Sequence, residues 1–318
     1  MTFARPEHWL WDFWLADDGK SFHMFYLHAP KSLGNPDLRH RNARIGHATS
    51  LDLINWTDHG RIFEPGPTGS FDDTANWTGS TVRGHDGRWY LYYTGSHWLS
   101  PDNTHNIETI GLAVSGDLFT WTKQPGPVCR ADNRWYETYG TSSWTEEAWR
   151  DPWVFADADG KTWHMLVTAR ANHGEDMQRG VVGHAVSRDM LDWVVQPPLS
   201  EPGGDFAHLE VFETFAIGNR NYVLFSCDTP RLAGKRTGAM GGIWYMPVDS
   251  FTGPMDPGKA RLLATQHLYA GRVVRQRDGQ HALMGFHNGP PFLGTISDPI
   301  PIVAHPDGTL TIAGEFAP

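Results

Sequence analysis

The chain predicts an all-β fold, a five-bladed β-propeller with a central funnel-shaped site, and three in-phase patterns carry the prediction. A strand pair built on a turn recurs as DDGKSFHMFYL (17–27), HDGRWYLYYTG (85–95), ADGKTWHMLVTA (158–169), IGNRNYVLFSC (217–227) and RDGQHALMGFH (277–287). Asp-Gly or Gly-Asn followed by alternating aromatic and aliphatic residues is a hairpin signal. A second element recurs as IGHATSLDLINW (45–56), IGLAVSGDLFTW (110–121) and VGHAVSRDMLDW (182–193), with GGIWYMPVDSF (241–251) as a degenerate fourth copy. Its glycines at 46, 111 and 183 lie 65 and 72 residues apart, the spacing of a blade-sized repeat.

The elements follow one order in each copy. An inner strand leads, the hairpin strand follows, and the Gly-Ala-Ser strand ends in a turn and a Trp. The inner strands are Trp9–Trp14, Trp77–Val82, Asp151–Phe155, Leu209–Phe215 and Tyr269–Arg275. Five copies of about four strands each make a propeller; a β-sandwich would need five hairpins to fall in phase with five inner strands by coincidence. Longer polar or Gly/Pro-rich segments at 29–43, 96–108, 130–148 and 228–240 read as loops, some of them rimming the central pocket. Residues 1–318 are expected to form this single catalytic propeller, ending just after the fifth blade with no C-terminal β-sandwich.

Composition narrows the function. The formal net charge is −10 and no Lys/Arg run exists, which argues against nucleic acid or an anionic membrane surface as partner. There is no stretch of about 18 apolar residues and no apolar leader in MTFARPEHWL, so a cytoplasmic location is expected. The two cysteines, Cys129 and Cys227, fit neither a zinc motif nor a disulfide scaffold. The histidines show no His-x-x-x-His spacing beside an acid, so neither metal nor cofactor is expected. Oligomeric state is not legible. The 15 Trp residues exceed ordinary usage; most should fill the sheet interfaces, and four or five should face a ligand, where flat apolar rings stack on sugar C–H faces.

Three carboxylates carry the chemistry: Asp12 in WLWDFWL, Asp151 in WRDPWVF and Glu210 in HLEVFETF. They are expected at the same place in successive repeats, so that they point into one shared pocket. Glycoside hydrolysis needs two carboxyl groups flanking the scissile bond, one ionised and one protonated near neutral pH. Asp12 sits inside an apolar run of Trp9, Leu10, Trp11, Phe13 and Trp14, where an acid must be paired or functional. Asp151 lies between Arg150 and Pro152. Glu210 competes with Glu213, and strand alternation should leave only one of them facing the axis.

These motifs resemble the clan of glycoside hydrolase families 32 and 68, the invertase, levanase and levansucrase group. FHMFYLHAP (22–30) looks like the aromatic strand after the nucleophile, and IGHATSLDLINW resembles the Gly-His-Ala-Ser-Asp-Leu-Trp element. NWTGSTV (76–82) is similar to the Ser-Gly-Ser motif, and WRDPWVF carries Arg-Asp-Pro intact. HLEVFETF falls where the acid/base motif belongs, and HLYAGRVV (267–274) resembles the fifth-blade Tyr-Ala strand. The resemblance implies Asp12 as nucleophile, Asp151 as transition-state stabiliser and Glu210 as general acid/base. It implies a retaining mechanism, with the two reacting carboxyl groups roughly 5–5.5 Å apart. Arg150, Trp77, Ser80, His28, Tyr269 and Trp11 join them as substrate-binding candidates, although His28 reads equally as a strand histidine.

Two motifs depart from the pattern. Trp11-Asp12-Phe13-Trp14 replaces Asn-Asp-Pro-Asn-Gly and stands closer to the Trp-Asp-x-Trp of family 68, and Val211-Phe212 replaces the Cys-Pro after the glutamate. The expected activity is cleavage of β-fructofuranosyl linkages in sucrose or short fructans, with fructosyl transfer as a variant. Two alternatives stay open: an inverting arabinofuranosidase or xylosidase of the family 43 type, and a non-catalytic sugar-binding propeller.

Overall fold

A computed structural model describes residues 2–101 and 104–318. Its strands form five antiparallel sheets around one axis. Blade one comprises His8–Asp17, Phe22–Pro30, Arg44–Ser50 and Trp56–Arg61. Blade two comprises Ala75–Arg83, Trp89–Trp98, Asn106–Ser115 and Thr122–Lys123, with Glu146–Glu147 added in parallel to Asn106–Ile107. Blade three comprises Trp149–Ala156, Trp163–Arg170, Gly180–Ser187 and Val194–Gln196. Blade four comprises Glu210–Ile217, Arg220–Cys227, Gly242–Val248 and Arg261–Thr265, and blade five Leu268–Arg275, His281–His287, Ile300–Ala304 and Leu310–Ile312. The five-bladed propeller and its inner strands are as the repeats predict. The segment 96–108 is less loop than expected, because strands run to Trp98 and resume at Asn106; residues 102 and 103 lie outside the described residues.

The recurring glycine has a packing cause. Gly46 pairs with Tyr26, and a Cβ on it would sit 2.3 Å from that ring. Gly111 pairs with Tyr93 in the same way, at 2.5 Å. The recurring Ser-x-Asp-x-x-x-Trp is a turn. In blade two, Ser115 Oγ accepts from Asp117 N and Leu118 N while Asp117 Oδ1 accepts from Phe119 N and Thr120 N. This satisfies four backbone donors locally. It holds Leu53, Leu118 and Met190 at φ of 66°, 67° and 67° with their side chains buried. A left-handed non-glycine residue costs roughly 1–2 kcal/mol, which the four hydrogen bonds and the buried side chain offset.

Aromatic and aliphatic layers fill the blade interfaces; Trp14, Trp149 and Tyr26 are wholly buried. The ring closes where Phe3 pairs with Ile296 through two 2.9 Å backbone bonds and Leu10 N donates to Gly294 O. On the axis, buried Arg272 of blade five donates from Nε to Phe13 O of blade one (2.9 Å) and from Nη1 to Phe212 O of blade four (2.7 Å). Glu213 lies beside it and accepts from Val273 N at 2.7 Å. No helix among the described residues is long and apolar enough to cross a membrane.

Arg272→Ala should therefore lower the unfolding free energy by about 3–5 kcal/mol, since it strands two carbonyls and a buried carboxyl. Urea denaturation will measure this, and adding Glu213→Gln should recover part of the loss.

Candidate active site

Every inner strand carries one extra residue at the same depth. Two steps on the paired strand face three between Leu10 and Phe13, Arg150 and Trp153, Glu210 and Glu213, and Tyr269 and Arg272; in blade two the bulge is at Thr78. A bulge re-aims side chains and frees backbone groups. Asp151, Val211 and Ala270 occupy its second position with φ of 55°, 58° and 48°.

This register corrects the expectation that the three acids are equivalent. Glu210 occupies the first position of its bulge, Asp151 the second and Asp12 the third. All three nonetheless line one pocket. The bulge also corrects the alternation argument. Glu210 pairs with Ser226 and Glu213 with Leu224, two residues apart, so the inserted residue returns both acids to one phase. Depth separates them: Glu210 lines the main pocket, and Glu213 lines a smaller cavity with Arg272 and Trp153.

The main pocket, about 510 Å³, is lined by Asp12, Asp151 and Glu210 together with Trp11, Trp77, Arg150 and Tyr269. Ser80 and His28, expected there, are elsewhere. Ser80 is buried between blades and accepts from Val154 N at 3.1 Å. His28 is buried against the rings of His8 and Tyr26. Three tryptophans line the pocket, Trp11, Trp77 and Trp98, fewer than the four or five expected.

Threonine hydroxyls fix the acids, one from the inner strand of blade two and two from the second strands of blades two and three. Thr78 Oγ1 donates to Asp12 Oδ2. Thr94 Oγ1 donates to Thr78 O at 3.0 Å and accepts from Asp151 N at 2.8 Å. Thr168 Oγ1 donates to Asp151 Oδ2 at 2.9 Å and accepts from Val211 N at 3.3 Å. Arg150 is a buried hub, within 3.0 Å of Glu108, 3.5 Å of Glu146, 3.5 Å of Asp151 and 2.7 Å of Glu210. Tyr269 Oη donates to Glu210 Oε2 at 2.8 Å.

Burial raises Asp12 above the usual carboxylate value, with the Thr78 bond opposing it and the Glu210 charge adding to it. Burial likewise pushes Asp151 up to about 7 against the opposing Arg150 charge. For Glu210 burial is again the largest single influence and acts upward, but His208, Arg150 and Tyr269 together bring it down to about 2. His208 contributes by charge only when protonated, and burial lowers its own pKa. At neutral pH the Arg150 and Tyr269 bonds are therefore what hold Glu210 ionised. The acid expected to be protonated is the most firmly ionised of the three in the free pocket.

Sequence reasoning missed Thr78, Arg39, His40, Trp98, Glu108, Glu146, His208, Asp228 and Arg231, all in the pocket wall. Most lie in or beside the four segments read as rim loops; Thr78 was inside the quoted NWTGSTV motif, with no signal to mark its hydroxyl.

The profile of the glycosyl hydrolases family 32 N-terminal domain matches residues 12–291. The sucrose-6-phosphate hydrolase of Escherichia coli is 27% identical over 302 residues, covering 89% of this chain and 55% of that protein. An insoluble β-fructofuranosidase isoenzyme of Arabidopsis thaliana is 29% identical over 191 residues, 58% of this chain and 30% of the relative. The chain thus spans about half the length of the first and less of the second. The inulosucrase of Halalkalicoccus jeotgali, solved bound to kestose, superposes with a TM-score of 0.81 at 23% identity, covering 98% of this chain and 88% of the other. At that identity the likeness shows the shared fold.

Asp151 gives a pH test. Its folded pKa of about 7 exceeds the usual unfolded value, so its contribution is complete below about pH 4 and is lost as pH rises through 7. Asp151→Asn should gain stability over the native chain at pH 8, on the order of 1–3 kcal/mol, and lose that advantage at pH 4. Urea unfolding at the two pH values measures it.

Proposed function

The chain belongs to glycosyl hydrolase family 32, and on that premise we propose that it is a retaining glycoside hydrolase cleaving β-fructofuranosyl linkages in sucrose or short fructans. The convergence of Asp12, Asp151 and Glu210 in one buried pocket walled by Trp11, Trp77 and Trp98 carries the reading. Membership of family 32 also favours fructosyl over arabinosyl chemistry.

Asp12 is the nucleophile, oriented by Thr78. Its free oxygen attacks the anomeric carbon as the bond to the leaving oxygen breaks. Glu210 delivers a proton to that oxygen, and a fructosyl–Asp12 ester remains. Glu210 then takes a proton from water, whose oxygen displaces Asp12 and restores the original configuration. A sugar acceptor in place of water gives transfer. Asp151, fixed by Thr94 and Thr168, grips fructosyl hydroxyls and faces the positive charge that develops on the ring.

The free pocket holds Glu210 as a carboxylate, so substrate must reverse that preference before proton delivery. A sugar hydroxyl that draws Arg150 away removes the 2.7 Å bond, and the ring covering the acid desolvates it further; both raise its pKa. Among the described residues the wall carries seven carboxyl groups (Asp12, Asp37, Glu108, Glu146, Asp151, Glu210, Asp228) against three arginines (Arg39, Arg150, Arg231). That balance suits a neutral sugar better than the phosphorylated substrate in the name of the Escherichia coli relative. Among the described residues, every one in the wall comes from the propeller, which supports reading residues 1–318 as one catalytic domain. The two cysteines are buried and unpaired, in keeping with an intracellular location.

Incubation with sucrose, inulin, levan, sucrose 6-phosphate and an aryl arabinofuranoside, followed by NMR, tests the reading. Fructose released from sucrose with retained configuration supports it; inverted product, arabinose release or binding without turnover overturns it. Asp12→Asn should abolish turnover while leaving the fold intact. Glu210→Gln should slow poor leaving groups by roughly 10²–10⁴-fold and activated aryl fructosides far less. If Glu213→Gln behaves that way instead, the acid/base assignment is wrong.

A further inference from the structure

His208 and Asp228 line the blade-four corner of the pocket with the buried Cys227 beside them, and the steps above make no use of the sulfur. One nitrogen, one sulfur and one oxygen from the three lie within 4.8 Å of one another. His208 is 4% exposed, and its Nε2 has no hydrogen-bond partner. That nitrogen faces Glu210 Oε2 at 3.4 Å and Asp228 Oδ1 at 3.8 Å, while Nδ1 on the far side of the ring meets Arg150 Nη2 at 3.4 Å. Asp228 Oδ2 accepts from Arg231 Nη1 at 2.9 Å, while its buried Oδ1 has no hydrogen-bond partner. Cys227 is fully buried, its sulfur 3.7 Å from Asp228 O. The sequence concealed the cluster, since its members come from the approach to one strand and the end of the next.

We propose that His208, Cys227 and Asp228 bind a borderline-soft divalent cation, zinc in the first instance, and that its occupancy blocks the corner where Glu210 works. A thiolate and an imidazole select zinc over calcium or magnesium, which take oxygen ligands. Zinc–ligand bonds of about 2.0–2.3 Å require the three atoms to draw together by roughly 1 Å. The thiol proton of Cys227 leaves to solvent as its sulfur lone pair forms the metal bond. Glu210 Oε2, beside His208 Nε2, is placed to fill a fourth position. A carboxylate held by zinc cannot carry the proton for a leaving group, so occupancy inhibits. Only this inhibitory consequence rests on the function proposed above; the binding does not.

Isothermal titration of the full chain with zinc chloride, without sugar, tests the binding. One zinc per chain is expected, with calcium at least tenfold weaker. Cys227→Ser should weaken zinc at least tenfold, and Cys129→Ser, which alters the other buried thiol, should not. Cobalt titrated into the native chain should give a thiolate-to-metal charge-transfer band, a readout that needs no variant to fold. No zinc uptake, equal affinity in Cys227→Ser, equal calcium binding or no such band would each overturn the site. With sucrose as substrate, zinc should inhibit the native enzyme and lose at least tenfold in potency against Cys227→Ser; inhibition that ignores the substitution overturns the inhibitory role. A chain that never turns over sucrose leaves the binding measurements decisive.

Discussion

One inserted residue in each inner strand sets the geometry on which the rest of this protein depends. A regular strand at the axis would send alternate side chains to the two faces of its blade and leave the backbone uniformly extended. The bulge breaks that alternation at one depth in all five blades. It forces Asp151, Val211 and Ala270 into left-handed backbone and frees backbone N–H groups that need partners. Thr94 and Thr168 supply two of those partners from the preceding blade. The same hydroxyls bond to Thr78 O and to the Asp151 carboxyl. Strain, blade docking and placement of the acids are one arrangement.

Two buried arginines divide the axis by depth. Arg272 donates to carbonyls of blades one and four and lies beside Glu213, so its charge serves closure of the ring. Arg150, nearer the mouth, spends its donors on Glu108, Glu146 and Glu210, so its charge sets the ionisation of the pocket. Arg150 explains why three acids in similar burial differ so widely. Burial, with neighbouring carboxylate charge, lifts Asp12 and Asp151, while Glu210 has the shortest bond to the guanidinium and a phenol on its other oxygen. The ionisation of Glu210 thus depends on the Arg150 guanidinium 2.7 Å away.

The propeller was legible in the sequence because hairpins and glycines have local causes. An Asp-Gly turn fixes its hairpin by itself, and Gly46 and Gly111 are required by the ring on the paired strand. Asp12, Asp151 and Glu210 were legible because a carboxylate in an apolar strand demands an explanation wherever it stands. Ser80 and His28 show the limit of that reasoning. Both lie on strands that line the pocket elsewhere, yet one caps a neighbouring blade and the other packs against His8, because a strand's position does not fix which way one side chain faces.

The sequence by itself determined the number of blades, from the count of repeats, and the order of strands, from residues within each repeat; it offered Asp12, Asp151 and the Glu210/Glu213 pair as candidate acids. Tertiary structure decided their phases on the bulge, the separation of Glu210 from Glu213 by depth, and the ionised state of Glu210. Those properties arise from residues about 60 positions apart, such as Arg150 with Glu210 and Tyr269 with Glu210. Coulomb energy and hydrogen bonding depend on distances that only the closed ring sets, so no pattern along the chain could encode them visibly.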